Sequence, residues 1–197
     1  MPHPPFILSR ETERAAIDRV IRDPAKRQML YEMVDAVLRS RESGAVSSAE
    51  LSPILAGFEA TDEGVWSRAA GWLAKLCAFA PELLPSLERL ASHRLADVRF
   101  HLCASLDYFP KEIAVAYLRR FLRDKSARIR GTASNVAVKT GYRELIPDLE
   151  GLVREERDAE RREDLRQTIA LLRGESYARD GWQIRRLSKG DIECSEQ

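Results

Sequence analysis

The side chains that most often perform chemistry are scarce in this sequence. The histidines and cysteines are His3, His93, His101, Cys77, Cys103 and Cys194. His101 and Cys103 lie two positions apart in a predicted helix, so they point to different sides of it and do not share a metal ion. Cys103 aligns with a small residue 31 positions later in the sequence, which predicts a buried, unreactive thiol. We therefore expect no metal site, no cofactor and no disulfide framework.

Catalytic motifs are also missing. The sequence has no Gly-rich phosphate loop, no G-x-G-x-x-G spacing and no G-x-S-x-G turn. Carboxylates are plentiful, but most belong to mixed-charge runs such as residues 154–164, which are typical of a solvated helix with local ion pairs. Glu82 and Glu144 begin predicted helices, where a negative charge is favourable. No residue set is predicted to be catalytic, and we expect a protein that is not an enzyme.

The composition indicates a helical, nearly neutral protein. The chain has 197 residues, with 32 Lys and Arg against 31 Asp and Glu. Ala, Leu, Arg and Glu dominate, whereas alternating apolar runs are absent, so local propensity favours helices. The first residues lack the pattern of a signal peptide, and no apolar run approaches the length of a membrane span. These features predict a cytoplasmic protein without a membrane segment.

A short motif occurs twice. Residues 82–90 read ELLPSLERL and residues 144–152 read ELIPDLEGL, which are six identities in nine positions at an offset of 62. Halfway between them, EIAVAYLRRFL keeps the apolar positions, so that Leu87, Leu118 and Leu149 are successive equivalents 31 residues apart. The sequence therefore contains a repeat of about 31 residues.

A second helix repeats with the first. Val98, Leu102 and Leu106 are followed 31 residues later by Ile129, Ala133 and Ala137, a spacing that places them on one helical face. Similar segments begin at Val65 and Leu165. Pro110 is expected to end the first helix of the middle unit, and Gly141 the next one. Each unit reads helix, turn, helix, and such units must stack to bury their apolar faces.

The first helices resemble those of HEAT repeats. In ADVRFHLCASL the typical Asp is followed directly by an apolar residue and Arg, whereas SARIRGTASNVA has its apolar residue and Arg at a longer distance from the preceding Asp124, and the resemblance covers about residues 58–172. It implies an all-α fold, a right-handed α-α superhelix (a HEAT-like solenoid) of about four to five helical hairpins. It also implies that Asp and Arg side chains pair between neighbouring units in a structural role. The residues concerned are Asp97, Arg99, Asp124, Arg130, Asp164 and Arg166.

The boundaries follow from these repeats. Residues 1–57 are expected to form an N-terminal helical cap, in which Ser9 caps a short helix that Pro24 ends, and Met29 lies on the buried face of the next helix, which Gly44 ends. Repeats are expected at 58–93, 94–124, 125–158 and, in part, 159–173. The tail, 174–197, is expected to be partly disordered or packed on the last repeat.

The charges suggest where a partner would bind. Residues 94–143 contain 11 Lys and Arg against four Asp and Glu, whereas 42–92 and 144–164 are acidic. In HEAT-like arrays the second helices line the concave surface, and Arg and Tyr are enriched where binding energy concentrates. The candidate partner-binding residues are Arg89, Tyr117, Arg119, Arg120, Arg123, Asp148 and Arg154.

Two function classes remain open. The first is a bacterial protein-binding scaffold, adaptor or inhibitor, with an immunity-like or chaperone-like role and a partner that is acidic at the centre of contact. The second is a nucleic-acid-binding protein, by resemblance to HEAT-like DNA glycosylases. The neutral composition favours the first class, because affinity for phosphates grows with the number of cations presented. Trp66 and Trp72 lie on a first helix, away from such a groove.

Overall fold

The computed structural model describes residues 9–179, 182–187 and 190–196, and the prediction for His3 lies outside them. The chain folds into two compact units, Met1–His93 and Arg94–Gln197. Within the described residues, ten α-helices precede a small antiparallel sheet.

The first unit contains helices only. In chain order they are α1 (Arg10–Val20), α2 (Pro24–Ser43), α3 (Ser48–Glu59), α4 (Glu63–Cys77), a 3-10 turn (Pro81–Leu83) and α5 (Leu84–Ala91). Helix α2 packs against α1, α3 and α4, and α3 packs against α4. The core between them includes fully buried Met33, Ile54, Phe58 and Leu73.

Local capping explains where these helices begin and end. The Ser9 hydroxyl accepts the Thr12 N–H at the start of α1, and Gly44 ends α2 with a φ of 71°. Pro24 does not end α1, contrary to expectation. It occupies the first turn of α2, where its missing N–H is harmless, and α1 stops at Val20. Met29 is 37% exposed rather than buried.

The second unit continues the helix pairs. It contains α6 (Ala96–Ala104), α7 (Lys111–Phe121), α8 (Ala127–Thr140), α9 (Ile146–Glu155) and α10 (Ala159–Arg173), with 3-10 turns at Leu106–Tyr108 and Arg143–Leu145. The first helices of successive pairs pack on each other, so that α6 contacts α8 and α8 contacts α10. Of the second helices, α7 packs on α8 and α9 packs on α10. Gly141 ends α8 with a φ of 73°, whereas α6 ends at Ala104, and Pro110 is the N-cap residue of α7.

The repeated apolar positions are the buried ones. Leu87, Leu118 and Leu149 each have 0% of their surface exposed. The expectation of a helical repeat fold is confirmed. In addition to the helices, and not predicted from the sequence, β1 (Tyr177–Arg179), β2 (Trp182–Arg186) and β3 (Ile192–Glu196) form a small antiparallel sheet in the order β1-β2-β3.

The sheet takes the place of a second helix after α10. Strands β1 and β2 contact α10, and the Tyr177 hydroxyl donates to Glu163 of that helix. The Arg186 guanidinium donates to the Val138 carbonyl near the end of α8. At Gly190, with a φ of 89°, an added Cβ would clash with the Lys139 carbonyl oxygen. Gly190 therefore lies directly against the backbone at the end of α8.

This contact predicts a large effect of a methyl group at one glycine. Gly190→Ala should lower the free energy of unfolding of the second unit by more than about 2 kcal/mol, or detach the sheet, because the positive φ and the clash with Lys139 add. Hydrogen exchange of β2 and β3 amides measures the effect. Gly44→Ala is the matched control, with a φ of 71° and no atom within 4 Å of the added Cβ, and should cost about 1 kcal/mol. Equal effects of the two substitutions would contradict this contact.

Candidate partner-binding surface

The candidate residues of the second unit lie on or next to two second helices, α7 and α9. Helix α7 buries Ala114, Val115, Leu118 and Phe121 at helical spacing. This apolar stripe turns the basic side chains of the helix outward. Helix α9 buries Leu149 and presents its acidic residues on the surface. The two helices together expose a charged surface, which we call the α7–α9 surface.

Ion pairs join the two helices across the repeat boundary. Arg119 Nε lies 2.8 Å from Asp148 Oδ2, and Arg123 Nη1, just after α7, lies 3.0 Å from Glu155 Oε2. A third pair joins Lys111 at the start of α7 to Glu144 at the turn before α9. The basic middle of the sequence is thus neutralised in part by the acidic segment that follows it.

These pairs favour the charged forms of both partners. The hydrogen bond and the charge of Glu144 raise the pKa of Lys111, and the hydrogen bond from Lys111 lowers the pKa of Glu144. Both side chains are about half exposed, so solvent and salt screen the pair. These ion pairs therefore determine the charge pattern of the surface and contribute little to the stability of the fold.

The other candidate residues are placed as follows. Arg120 and Arg154 are exposed, and Tyr117 is partly buried. Arg89 is exposed on α5 and belongs to the first unit. The α7–α9 surface therefore brings together six of the seven candidate residues.

The buried ion pair Arg99–Asp124 of the second unit joins α6 to the loop that precedes α8. Arg99 of α6 donates from Nε to Asp124 Oδ2 at 2.8 Å and from Nη2 to Asp124 Oδ1 at 3.0 Å. The two side chains are only 5% and 9% exposed. The backbone N–H of Ser126 also donates to Asp124, at 2.8 Å, and Arg99 donates to the Arg94 carbonyl. This two-bond geometry is the strong form of an arginine–carboxylate interaction.

The other repeat Asp and Arg residues have different surroundings. Asp97 pairs with Arg128 at 3.0 Å, with both side chains exposed. Arg130 donates to the carbonyls of Asp124 and Lys125, both at 3.0 Å. Arg166 pairs at 3.2 Å with Glu163 of its own helix rather than with another repeat, and the Asp164 carbonyl accepts the hydroxyl of Thr168.

Sequence reasoning missed the acidic partners of the basic residues. Arg123, expected to face a partner, pairs with Glu155 of the next repeat. Likewise, Lys139 lies 2.6 Å from Asp107 one repeat earlier. The sequence does contain a signal for these ion pairs, because the paired residues carry opposite charges and lie about one repeat length apart.

Cys77, Cys103 and His101 are buried, whereas Cys194 is exposed. Cys103 is fully buried, and its sulfur lies 3.7 Å from the Ile129 carbonyl oxygen. Burial raises the pKa of the Cys77 thiol to about 12. His101 is 6% exposed. Within residues 9–179, 182–187 and 190–196, no cluster of three or more His, Cys, Asp or Glu side chains is suited to a metal ion. None of the helices described combines the length and apolarity required to cross a bilayer.

Comparison with known families agrees with this geometry. A family model described as HEAT repeats matches residues 81–170, which include the second helices α5, α7 and α9. The helix pairs of this segment are therefore similar to HEAT repeats. Such repeats generally mediate contacts between proteins and are typically not catalytic. The comparison with curated proteins gave no match.

The buried pair predicts an asymmetric loss of stability. Asp124→Ala should lower the free energy of unfolding by about 3 kcal/mol, because it leaves the Arg99 guanidinium buried without its carboxylate. Asp97→Ala, which removes an exposed pair, should cost about 1 kcal/mol or less. Urea denaturation measures both. In the double variant Arg99→Ala/Asp124→Ala the loss should be smaller than the sum of the single losses, and strict additivity would contradict direct pairing.

The Arg99–Asp124 pair also predicts that the free energy of unfolding depends on pH. The hydrogen bonds from Arg99 lower the pKa of Asp124 in the folded state, although burial acts in the opposite direction. Because the folded pKa lies below the unfolded value of about 4, the stabilisation is complete above that pH and is lost as pH falls through the folded pKa. Unfolding free energies of the native chain and Asp124→Asn, measured from pH 6 to pH 2, should converge at low pH. Parallel curves would show that this carboxylate does not titrate as proposed.

Proposed function

We propose that this protein is a non-catalytic, protein-binding HEAT-repeat scaffold that acts as an adaptor or inhibitor through its α7–α9 surface. The observation that carries the proposal is the row of ion pairs between α7 and α9. Arg119 and Arg123 are held by Asp148 and Glu155, so their guanidinium groups are already oriented before a partner arrives. Because pre-ordered side chains lose less entropy on binding, such a surface favours a specific partner.

The chemistry of the surface suggests the partner. Arg120 and Arg154 are exposed, and Tyr117 offers a partly buried ring three positions before Arg120 on α7. Arg and Tyr are the residue types that contribute most at interfaces. A protein whose contact surface is acidic at its centre and carries some basic groups at the edge would complement this pattern. An immunity-like or chaperone-like role in a bacterial cytoplasm is within this proposal.

Charge reversal tests the surface. The double variant Arg120→Glu/Arg154→Glu should retain less than about a tenth of the partner captured by the immobilised native chain, because two attractive contacts become repulsive. Its melting temperature should change by less than about 2 °C, since both side chains are exposed. Capture is quantified by mass spectrometry of bound proteins. Arg19→Glu, an exposed charge reversal on α1, is the matched control and should bind as the native chain does.

A salt titration with duplex DNA separates the two function classes. Since several arginines of the α7–α9 surface are paired with carboxylates, few cations are available for phosphates. We expect no retention of random duplex DNA at about 50 mM salt. Unchanged protein capture by the double variant, or tight DNA binding that the variant abolishes, would overturn the proposal.

A further inference from the structure

The small sheet has two chemically different faces. Residues paired across antiparallel strands share a face, so the pairing of Ile184 with Cys194 and of Arg186 with Ile192 places these four on one side. This is the side that faces the helices, because Arg186 donates to the Val138 carbonyl of α8. On the opposite face, Arg185 pairs with Glu193.

Strand β3 is an edge strand. Its outer side has no strand partner among the residues that the structure describes. The Leu187 N–H donates to the Asp191 carbonyl at 2.8 Å, which makes this a hydrogen-bonded pair. Hydrogen-bonded and non-bonded pairs alternate in an antiparallel ladder, so Glu193 bonds toward β2. The backbone N–H and C=O groups of Ile192 and Cys194 consequently point to the open edge.

A groove continues the helix-facing side of the sheet. It has a volume of about 870 Å³ and lies between α8, α10 and the sheet. Ile184 and Ile192 line it from the sheet, α8 contributes Gly131, and the helix side of the groove also carries charged side chains such as Arg130 of α8 and Asp164 of α10. The volume lies in the range of natural ligand sites. An edge strand with unused hydrogen-bonding groups therefore lies beside a groove for side chains.

We propose that β3 and this groove bind an extended peptide, which joins the sheet as a fourth strand. Its residues opposite Ile192 and Cys194 exchange backbone hydrogen bonds with them and direct their side chains into the groove. Since Ile184 and Ile192 line that side, these residues are apolar. The peptide residues between them lie on the same face of the sheet as Glu193 and are basic. Strand addition of this kind takes affinity from the backbone and specificity from alternate side chains.

The charges favour a basic peptide over a second copy of this chain. Strand β3 reads IECSE, and Arg185, the basic residue beside it on β2, already pairs with Glu193, so pairing of two copies would add acidic residues to the edge without adding a basic residue of β3. Like charges on neighbouring strands are destabilising. The site is independent of the α7–α9 surface, so either proposal can fail without the other.

The binding experiment uses the full chain and a fluorescein-labelled peptide, acetyl-Lys-Val-Lys-Val-Lys-Val-Lys-amide, with fluorescence anisotropy as the readout. A peptide of the same composition with its lysines and valines in two blocks controls for charge. A third peptide carries N-methyl groups on the valines, whose N–H groups would pair with β3. We expect the first peptide to bind and each of the other two to bind about tenfold more weakly or less.

Substitution at Cys194 tests the same edge from the protein side. Cys194→Pro removes an N–H that points outward, so the bonds between β2 and β3 remain, and peptide affinity should fall about tenfold. Cys194→Ser keeps the N–H and should bind as the native chain does. Gly131→Phe, at a position with no atom within 4 Å of an added Cβ, should fill the groove and weaken binding. Arg120→Glu/Arg154→Glu should leave it unchanged.

Hydrogen exchange identifies the strand. Peptide binding should slow exchange of the Ile192 and Cys194 amides more than that of Glu193, which already bonds to β2. The proposal is overturned by equal affinity for the N-methylated peptide, by unchanged binding to Cys194→Pro, by no binding at about 1 mM peptide, or by dimers of the free chain that Cys194→Pro dissociates.

Discussion

A two-helix unit cannot bury its own apolar face, and the rest of the structure depends on this constraint. Leu118 and Leu149 are fully buried only because neighbouring helices cover them. Packing one pair on the next brings residues about one repeat length apart into contact. The pairs Asp97–Arg128 and Arg123–Glu155, separated by 31 and 32 positions, are direct consequences. The spacing of the leucines thus sets which charges meet.

The ion pairs divide into two kinds with different physical roles. The exposed pairs between α7 and α9 contribute little to stability, because water and salt screen them, but they orient arginines on a rigid surface. The Arg99–Asp124 pair is buried, so each charge depends on the other, and neither can be lost alone without a large cost. Stability and recognition therefore rest on different pairs of the same repeats.

The small sheet covers apolar surface of α10 in the way that a helix would in a regular repeat. Helix α10 buries Leu165, Leu171 and Leu172, and the elements described after it are strands. The sheet covers part of α10 instead, and its hairpin contacts the end of α8 through Gly190. A sheet differs from a helix in having edges with unused backbone groups. The edge of the sheet consequently allows recognition through backbone hydrogen bonds, whereas the α7–α9 surface offers side chains.

The sequence by itself determined the helix pairs, their period and several helix ends, because apolar spacing, the Ser9 cap and the left-handed Gly44 and Gly141 act locally. Of the candidate surface, it predicted the basic positions but not their acidic partners. Only the tertiary structure decided those, since pairing depends on which side chains of the next repeat come within about 4 Å. It also decided the strands, because a five-residue run such as WQIRR has too weak a pattern to form a sheet without α10 beneath it.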